Sequence, residues 1–279
     1  MDIGEIFDRE VPVIMAIGGS DSSGGAGIQA DLKVFNAFRC YGTSVITCIT
    51  AQNPDEILAI EPLSAKLIKQ QMDAVLKSFN VNVFKTGMLY SAEIVEVVAG
   101  TLKDNGIPDL VVDPVMFSSS GTRLLQEDGV EFMIEHLLPL ATLITPNVPE
   151  AEFLSETKID SVKSMRDAAE IIGTRFDTEC VVKGGHLDEC DSDEVVDVLY
   201  SQDELYEFRC ERLDIDDIHG TGCTFAAAAA CGMAHWLDAP QLVKDAQLYV
   251  ASAISNHVLI GSQPALNVRE VQESYPEQC

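Results

Sequence analysis

The segment HGTGCTFAAAAA, residues 219–230, combines a glycine-rich turn, a cysteine and a run of alanines. Alanine has the highest helix propensity, so a helix is predicted to begin near Gly222 and Cys223. Glycines at that position let backbone N–H groups converge on one point, and the positive end of the helix dipole is directed to the same point. Gly220, Thr221, Gly222 and Cys223 are therefore expected to form an anion-binding site that contains a thiol.

The thiol of Cys223 has several chemical interpretations. A helix N-terminus lowers the pKa of a thiol because the dipole favours the thiolate, which would suit a nucleophile or a base. A small side chain without a chemical role is the alternative, and a redox role would show as nucleotide-independent disulfide or sulfenate chemistry. His219 is close in sequence, but a nucleophilic Cys–His pair also needs a spatial geometry that the spacing does not supply.

Two carboxylates and two lysines follow or end strand-like apolar runs. Asp113 lies in VVDPVM, and Glu150 follows TPN. Single carboxylates at such positions are often helix caps, but together on one face beside an anion they suit Mg²⁺ or its waters. Lys183, in CVVKGGH, is one of only 18 basic residues and is interpreted as a contact of a nucleotide phosphate or its loop. Lys85, in VFKTGML, is a weaker candidate of the same kind, with a structural role as the alternative.

The stretch GGSDSSGGAGIQAD, residues 18–31, is rich in glycine and hydroxyl side chains. It lacks both the lysine of a G-x-x-x-x-G-K-[ST] loop and the G-x-G-x-x-G spacing. We interpret it as a wall that lets a planar ligand approach the backbone closely. A tight strand-to-helix turn is the alternative.

Short β-branched runs alternate with helix-length amphipathic segments, which indicates an α/β fold with a mostly parallel sheet and helices on both faces. The predicted strands are 11–17, 45–50, 83–86, 110–113, 142–145, 180–183, 194–200 and 205–210. The predicted helices are 28–38, 65–78, 92–105, 127–137, 149–155, 162–175, 222–236 and 239–257. The strands 194–200 and 205–210 are expected to form an antiparallel edge hairpin. Because ligands bind outside the carboxyl ends of such strands, the polar residues that follow them predict one active face.

The composition excludes several classes of protein. The 45 acidic and 18 basic residues give a net charge of −27, which disfavours nucleic acid and acidic lipid as partners. A salt-rich host and simple solubility both remain explanations of this charge. No apolar run reaches the roughly 18 residues of a membrane span, and MDIGEIFDRE does not resemble a secretory signal. These two features predict a cytoplasmic location. The eight scattered cysteines include no C-x-x-C, and most of them are expected to be reduced.

Seven segments together resemble the ribokinase superfamily, and more closely its hydroxymethylpyrimidine/phosphomethylpyrimidine kinase branch. They occur in the family's order and cover about residues 12–260: AIGGSDSSGGAGIQADLK, SVITCITAQN, KTGML, DPVM, LITPNVPEA, VVKGGH and HGTGCT. The resemblance implies a three-layer αβα sandwich of the ribokinase type and a homodimer. We predict one kinase domain over 11–265, after an acidic extension, 1–10, and before a tail, 266–279.

The resemblance also implies a reaction, in which ATP with Mg²⁺ phosphorylates the hydroxymethyl group of an aminopyrimidine and then its monophosphate. Gly220, Thr221 and Gly222 match the family's anion hole, and Cys223 stands where most sugar kinases carry an aspartate as base. Phosphoryl transfer is mostly positioning and electrostatics, so losing Cys223 is expected to cost less than losing the fold of the hole.

The remaining site residues are implied one position at a time. Gln52 resembles the residue that hydrogen-bonds the pyrimidine edge, and Asp31 resembles the acidic residue near the ring. The walls of the ring site are matched by Gly19, Ala26, Met88 and Val115. The nucleotide side is matched by Asn147, Lys183, Gly185 and His186, and the Mg²⁺ side by Asp113 and Glu150.

Two other functions remain open at this point. A pyridoxal kinase of the same branch shares these motifs closely and would act on the hydroxymethyl group of a vitamin B6 vitamer. A catalytically silent ligand-binding module on the same fold is the alternative from another class, but the intact Asp113, Glu150, Lys183 and Cys223 argue against it.

Overall fold

The computed structural model describes residues 11–106, 108–118, 121–185, 187, 194–213 and 218–268. Its strands are β1 (Val13–Asp21), β2 (Tyr41–Gln52), β3 (Ile57–Pro62), β4 (Val83–Thr86), β5 (Leu110–Val112), β6 (Leu143–Ile144), β7 (Glu179–Val182), β8 (Glu194–Ser201), β9 (Glu204–Glu211), β10 (Val258–Ile260) and β11 (Gln263–Ala265). Its α-helices are α1 (Gly27–Ala37), α2 (Ala65–Leu76), α3 (Ala92–Asn105), α4 (Glu127–Phe132), α5 (Val148–Ser155), α6 (Val162–Phe176), α7 (Thr221–Ala234) and α8 (Ala239–Ser255).

Nine of these strands form one sheet in the order β3-β2-β1-β4-β5-β6-β7-β8-β9. The neighbours from β2 to β7 pair in parallel, while β3, β8 and β9 each pair antiparallel with the preceding strand. The order reverses between β1 and β4, where the chain leaves β1 toward one sheet edge and returns toward the other. This reversal is the topological switch point at which α/β proteins bind ligands.

The two faces of the sheet are covered by different sets of helices. Alternate residues of the central strands point to opposite faces, as in Val83 and Phe84 of β4. One core is closed by α2 to α6, and the other by α1, α7 and α8. The predicted three-layer α/β sandwich and its edge hairpin, β8–β9, are confirmed.

Helix α7 lies deepest in the second layer. Its alanines 226–230 are all buried. Their small side chains let α7 pack closely against the sheet and against the neighbouring helices α1 and α8. The flanking helix α8 begins at Asp238, whose carboxylate accepts a hydrogen bond from Gln241 N at 2.9 Å. These packing relations fix the position of the α7 N-terminus under the centre of the sheet's carboxyl edge.

Three elements differ from the sequence-based expectation. Strand β3 was not predicted, because most of its side chains are exposed and it shows no buried alternation. The helix predicted over 127–137 is α-helical only to Phe132 and continues as a π-helical turn, Met133–Leu137. A short hairpin, β10–β11, follows α8, and among the described residues its two strands pair only with each other.

The predicted ends of the domain, 11 and 265, lie close to the two ends of the described part of the chain. The extension 1–10 and residues 269–279 of the predicted tail lie outside the described residues. Within the described part of the chain, no helix has both the length and the apolarity that crossing a membrane requires.

Candidate active site

The carboxyl ends of β1, β2 and β4 to β7 meet along one edge of the sheet, where the N-termini of α1, α5 and α7 also begin. The backbone N–H groups of the first turn of each helix lack partners within the helix and are directed to this edge. Most of the sequence-predicted site residues lie in the loops that join these strands and helices. The site is therefore positioned by the ends of rigid elements.

Asp21 organises the loop after β1. Its carboxylate accepts hydrogen bonds from the backbone N–H groups of Ser23, Gly25 and Ala26, at 2.8, 3.1 and 2.8 Å. Burial alone would raise the pKa of this carboxyl, but the contact with His219 and these hydrogen bonds outweigh it and lower the pKa to about 2. Asp21 was not among the predicted site residues, although an acid inside a glycine-rich turn is a recognisable signal of a loop that is tied to its own backbone.

His219 joins this loop to the end of β2. Its Nε2 atom lies 2.8 Å from Gln52 Nε2 and 3.4 Å from Asp21 Oδ2. The other end of the Gln52 amide accepts a hydrogen bond from Thr50 Oγ1 at 3.1 Å. Gln52, expected to face a pyrimidine edge, is thus held from both ends, and His219 serves this side chain and Asp21 rather than a nucleophilic pair with Cys223.

The segment 220–223, named the anion loop here after its predicted role, touches the loop after β1 through the backbone. Gly220 has a φ of +93°, and a Cβ there would collide with the carbonyl oxygen of Gly25. A Cβ at Gly19 would meet Cys48 Sγ and Met88 Sδ at 3.0 and 3.1 Å. The predicted wall residues Gly19 and Met88 are therefore neighbours. At position 220, where the two loops cross, only glycine fits.

The pKa of Cys223 contradicts the expectation of a depressed value at a helix N-terminus. Burial raises the pKa of this thiol to about 11; the charge of Lys85 and a hydrogen bond from Gly27 N lower it, and Asp113 raises it further. Cys223 lies in the first turn of α7, where the helix dipole favours the thiolate, but the loss of water and the nearby acids disfavour the thiolate more strongly. The free protein therefore holds Cys223 as a neutral thiol at neutral pH.

Asp31 also lies differently from the expectation of an acid beside the ring. Its side chain is 1% exposed, and both carboxylate oxygens accept hydrogen bonds from Lys85 Nζ at 2.9 and 3.0 Å. Asp31 faces inward from α1, so the pair lies in the core directly behind the site. Lys85 therefore has the structural role that was named as the alternative to a phosphate contact. Its Nζ atom lies behind Gly87, 3.2 Å from where a Cβ of that residue would be.

Asp113, Glu150 and Lys183 meet at the ends of β5, β6 and β7. Lys183 Nζ donates to Asp113 Oδ1 at 3.1 Å, and the same oxygen lies 3.4 Å from Thr145 Oγ1. Lys183 Nζ is also close to Gly222, where a Cβ would lie 3.5 Å away. The lysine thus stands between the anion loop and the two acids.

Glu150 is engaged as a helix cap, the alternative noted from the sequence. Its Oε2 accepts from Asn147 N at 2.9 Å, and Asn147 Oδ1 accepts from Glu150 N at 2.9 Å, which together make the capping box of α5. Burial raises the pKa of Glu150 to about 7, with Lys183 opposing the rise and Asp113 adding to it. Asp113 and Glu150 are buried together and share a single cation, Lys183, so the site still favours an additional positive charge.

The described residues contain no cluster of three or more His, Cys, Asp or Glu side chains that alone would hold a metal ion. Asp113 and Glu150 are two carboxylates, and Mg²⁺ in phosphate-binding sites takes only one or two from the protein, with water and phosphate oxygens as the other ligands. The residues present fit that kind of Mg²⁺ site.

The loop after β7 is tied to the outer strands. Gly184 N donates to Asp197 Oδ1 at 2.8 Å, and Gln247 Nε2 of α8 donates to Asp197 Oδ2 at 2.9 Å. Arg212 NH1 donates to the carbonyl oxygen of Gly185 at 3.1 Å, and Gly185 itself is exposed. Asp197 was not identified from the sequence, since it lies inside a strand far from the motifs.

Of the other predicted residues, Ala26 is the N-cap of α1, and Val115 follows a turn in which its N–H donates to Asp113 O at 2.8 Å. His186 lies outside the described residues. The structure thus brings most of the predicted set to one edge, leaves Asp31 behind it, and adds Asp21, His219 and Asp197.

A three-layer α/β fold with an anion loop at the start of a buried helix, next to a lysine and two acids, defines the class of ribokinase-like small-molecule kinases. Comparison with known proteins narrows this class. The sequence model described as phosphomethylpyrimidine kinase matches residues 21–267, and the chain belongs to this family.

Two relatives illustrate the range of the family. The chain is 42% identical over 245 residues to a hydroxymethylpyrimidine/phosphomethylpyrimidine kinase of Rhizobium meliloti, covering 87% of this chain and 90% of that protein. It is 43% identical over 260 residues to the chloroplastic thiamine biosynthetic bifunctional enzyme TH1 of Arabidopsis thaliana, covering 91% of this chain. The chain spans only 49% of that bifunctional relative, and 52% of a bifunctional thiamine biosynthesis protein of Geobacter sulfurreducens.

Two solved structures share the fold. A phosphomethylpyrimidine kinase from Clostridium difficile is 40% identical with a TM-score of 0.77, covering 87% of this chain and 99% of that chain. The pyridoxal kinase from Staphylococcus aureus, in complex with AMP-PCP and pyridoxal, is 32% identical with a TM-score of 0.84, covering 94% of both chains. Sequence identity therefore favours the pyrimidine kinases, whereas backbone superposition favours the pyridoxal kinase.

Proposed function

We propose that this protein phosphorylates 4-amino-5-hydroxymethyl-2-methylpyrimidine and then its monophosphate, with ATP as the phosphoryl donor, in thiamine biosynthesis. The observation that carries the proposal is the site at the N-terminus of α7, where Gly220, Gly222 and Cys223 meet Lys183 and the loop after β1. The family and the names of its members at about 40% identity support the substrate.

In this proposal the residues 220–223 bind the phosphoryl group during its transfer. Their backbone N–H groups and the helix dipole would stabilise the charge that develops on the phosphoryl oxygens. Lys183, beside Gly222, would add positive charge at the same place. Phosphoryl transfer depends mostly on such positioning and electrostatics, so the fixed geometry of the loop is the main contribution.

Cys223 would take the proton of the attacking hydroxymethyl group. Because burial raises the pKa of this thiol to about 11, the thiolate is the minor form at neutral pH. The buried charge of Lys85 lowers the pKa of Cys223 and so increases the thiolate fraction. Lys85 and Asp31 would thus act on the proton transfer from behind the site without touching the substrate.

Mg²⁺ would be held beside Asp113 and Glu150 through water. When bound, it would neutralise charge on the ATP phosphates. Lys183 and the α5 N-cap residue Asn147 would contact the nucleotide phosphates, and Gly185 and His186 would border the nucleotide. The bridge that pairs Asn147 with Lys183 supports a common role, since it holds the two loops side by side.

The pyrimidine would lie against the loop after β1. Gln52 would hydrogen-bond the edge of the ring, since its amide offers a donor and an acceptor. Gly19, Ala26, Met88 and Val115 would form the walls. Gly19 lies directly against Met88, so these two wall residues are neighbours, which supports a common role.

The decisive experiment incubates the purified protein with ATP, Mg²⁺ and either the hydroxymethylpyrimidine or pyridoxal, and follows the products by mass spectrometry at low and high salt. The pyrimidine is expected to yield a monophosphate and then a diphosphate. Product from pyridoxal alone would move the assignment to a vitamin B6 kinase. Silence with both substrates would contradict the kinase proposal and favour a ligand-binding protein.

Pyridoxal kinase is the second candidate because of one specific observation, the TM-score of 0.84 with the S. aureus enzyme that holds pyridoxal. Competition discriminates between the two. If both compounds are substrates of one site, each inhibits phosphorylation of the other, and the ratio of the two kcat/KM values names the preferred substrate.

We also propose that the protein is a cytoplasmic homodimer, joined through the outer face of the β2–β3 edge. Leu58 of the edge strand β3 is 69% exposed there, and Ile49 of the neighbouring β2 is 49% exposed; apolar side chains exposed at a sheet edge are suited to an interface. Light scattering should give a dimer mass that Leu58→Lys halves. Trp236→Lys, at a 77% exposed site just after α7, is the matched control and should leave the mass unchanged.

A further inference from the structure

Asp197 of β8 is a buried acid that the function proposed above does not use. The residue is 4% exposed, although β8 lies next to the edge strand β9. Burial of a carboxylate costs free energy unless its oxygens have hydrogen-bond partners. The groups that Asp197 binds therefore indicate what it does in the fold.

The two oxygens of Asp197 bind two different elements. Oδ1 accepts from Gly184 N at 2.8 Å, and Oδ2 accepts from Gln247 Nε2 of α8 at 2.9 Å. Gln247 Nε2 also donates to the carbonyl oxygen of Phe208 at 3.1 Å. Because a carbonyl oxygen only accepts, the nitrogen of the Gln247 amide must lie on this side. Both oxygens of Asp197 thus face donors, and the ionised carboxylate is the form that fits.

The contact with Gly184 lies where β7 separates from β8. Val182 is the last residue of β7 that pairs with β8. Lys183 turns to the other neighbouring strand end, where its N–H donates to the carbonyl oxygen of Pro146 at 2.9 Å. The N–H of the next residue, Gly184, is bound by Asp197. The backbone at 183 and 184 is therefore held from both sides.

Gly184 is packed directly against the backbone of β8. A Cβ at this position would collide with the carbonyl oxygen of Val196. The residue before it, Lys183, carries the cation that binds Asp113 and lies beside Gly222. A shift of Gly184 away from β8 would therefore move the backbone that carries this cation.

The loop after β7 is also held on its outer side. Leu187 N donates to the carbonyl oxygen of Gly184 at 3.0 Å, and the guanidinium of Arg212 donates to the carbonyl oxygens of Gly185 and Leu187 at 3.1 and 3.3 Å. Arg212 is exposed, so water competes for these two contacts. Water is excluded from the contact with Asp197, which makes that hydrogen bond the stronger support.

We propose that Asp197 is a positioning residue for the nucleotide, which acts through Gly184 to hold Lys183 and the loop after β7 where they bind the ATP phosphates. The inference rests on the proposed function, since it takes this loop to border the nucleotide. Asp197 lies behind the loop and acts only through its backbone. The ring site, in the loops after β1 and β2, does not depend on this contact.

The test is Asp197→Ala, which removes both acceptors and leaves the Gly184 N–H without its partner. Titration calorimetry with the non-hydrolysable analogue AMP-PCP and Mg²⁺, without an acceptor substrate, should give a Kd at least about tenfold above that of the wild type, because a hydrogen bond to a charged group is lost. The KM of the pyrimidine at saturating ATP should stay within about threefold. A wild-type Kd for AMP-PCP in this variant would overturn the proposal.

Gln247→Leu is the matched control, because it removes the other partner of Asp197 and leaves the hydrogen bond from Gly184 in place. It is expected to destabilise the fold, yet its Kd for AMP-PCP should stay within about threefold of the wild type. Loss of folded protein alone would lower the binding stoichiometry and leave the Kd unchanged. An equal rise of the Kd in Asp197→Ala and Gln247→Leu would overturn the positioning role.

Amide exchange gives a second measurement that needs no ligand. The Gly184 N–H should exchange at least about tenfold faster in Asp197→Ala than in the wild type, because its acceptor is gone. Asp197→Asn, which offers one acceptor to two donors, serves for both measurements if Asp197→Ala does not fold, and its Kd should rise in the same direction. Unchanged exchange at Gly184 would overturn the proposal.

Failure of the proposed function would be seen separately, in the wild type. A wild type that binds AMP-PCP but does not phosphorylate the pyrimidine would contradict the proposed substrate, while the comparison of Kd values would still decide the role of Asp197. A wild type that binds no AMP-PCP would overturn both proposals.

Discussion

At the scale of single residues, Asp21 and Cys223 show two opposite outcomes of burial. Asp21 is buried among backbone donors, so its charged form is the favoured one. The Cys223 side chain is partly exposed, but its sulfur has lost most of its water, has fewer donors and lies close to two acids, so its neutral form is favoured. Hydrogen bonds to the charged form decide which way burial shifts a pKa.

Asp21→Asn should lower the free energy of unfolding by about 2 kcal/mol at pH 7, because a pKa lowered from 3.8 to about 2 corresponds to a stabilisation of that size. A lowered folded-state pKa stabilises the protein above the unfolded pKa, and the stabilisation is lost as the pH falls toward about 2. Urea unfolding at pH 7 and below pH 4 should show the difference between the two proteins shrinking in acid.

Asp104→Asn, at an exposed helix position, is the matched control and should change the unfolding free energy by less than about 0.5 kcal/mol. A deficit in Asp21→Asn that is the same at both pH values would mean that the charge of Asp21 is not what holds the loop.

For Cys223, the raised pKa predicts that kcat/KM for the pyrimidine rises between pH 7 and 10, as the thiolate fraction grows toward a pKa of about 11. Cys223→Ala should lose roughly 10²- to 10³-fold in kcat, with KM little changed, and should show a flat profile over that range. Steady-state rates at several pH values check both. An unchanged pH slope in Cys223→Ala would remove Cys223 from the proton transfer.

At the scale of elements, the start of α7 is held in place by a backbone contact with the loop after β1. The chain enters the helix through Gly220 in a left-handed conformation and passes directly against the Gly25 carbonyl group of the loop after β1. One backbone crossing thus connects the anion loop with the ring-side loop. The position of the helix dipole relative to a bound ligand depends on this contact.

Gly220→Ala should lower the free energy of unfolding by about 1–3 kcal/mol and the rate of phosphoryl transfer by at least about 100-fold, since it strains the backbone and separates the two loops. Gly100→Ala in α3 is the control, because a Cβ there meets nothing within 4 Å. That change should stabilise the helix by about 0.5–1 kcal/mol and leave the rate unchanged. Urea unfolding and initial rates measure both effects, and full activity in Gly220→Ala would contradict the crossing argument.

At the scale of the whole molecule, one buried ion pair joins the sheet to its second helical layer. Asp31 of α1 and Lys85 of β4 are each 1% exposed and meet beneath the active edge. Burial raises the pKa of Asp31 to about 6 despite the neighbouring charge of Lys85. Lys85 places a positive charge behind Cys223, and Asp31 balances that charge, so the core carries little net charge.

Lys85→Met should lower the free energy of unfolding by about 3–5 kcal/mol, because it leaves a buried carboxylate without its partner. The double variant Asp31→Leu/Lys85→Met should recover most of this loss, since it removes both charges. Lys69→Met is the control, at an exposed ion pair with Asp73 that is expected to contribute less than about 1 kcal/mol. A urea-unfolding cycle in which the two changes simply add would contradict the coupling.

The sequence alone was sufficient for the order and type of most elements. Each predicted strand and helix overlaps an observed one, because apolar side chains repeat at the period of the element that buries them. Strand β3 was not predicted because most of its side chains, including Leu58, Ala59 and Glu61, are exposed, so the strand has no periodic buried face. The motifs at strand ends likewise predicted one active edge, because parallel strands all end on the same side.

Only the tertiary structure decided which distant residues share an environment. Local spacing pointed to an acidic thiol at Cys223, but burial near Asp113 reverses that shift. Asp31 was matched to an acid near the ring, and the fold pairs it in the core with a lysine 54 positions away. Asp197 and Gln247, 50 positions apart, become a buried hydrogen-bonded pair through the packing of α8 on the sheet. Periodicity along the chain determines elements, whereas charge, pKa and reactivity depend on neighbours that the fold brings together and on the water that it removes.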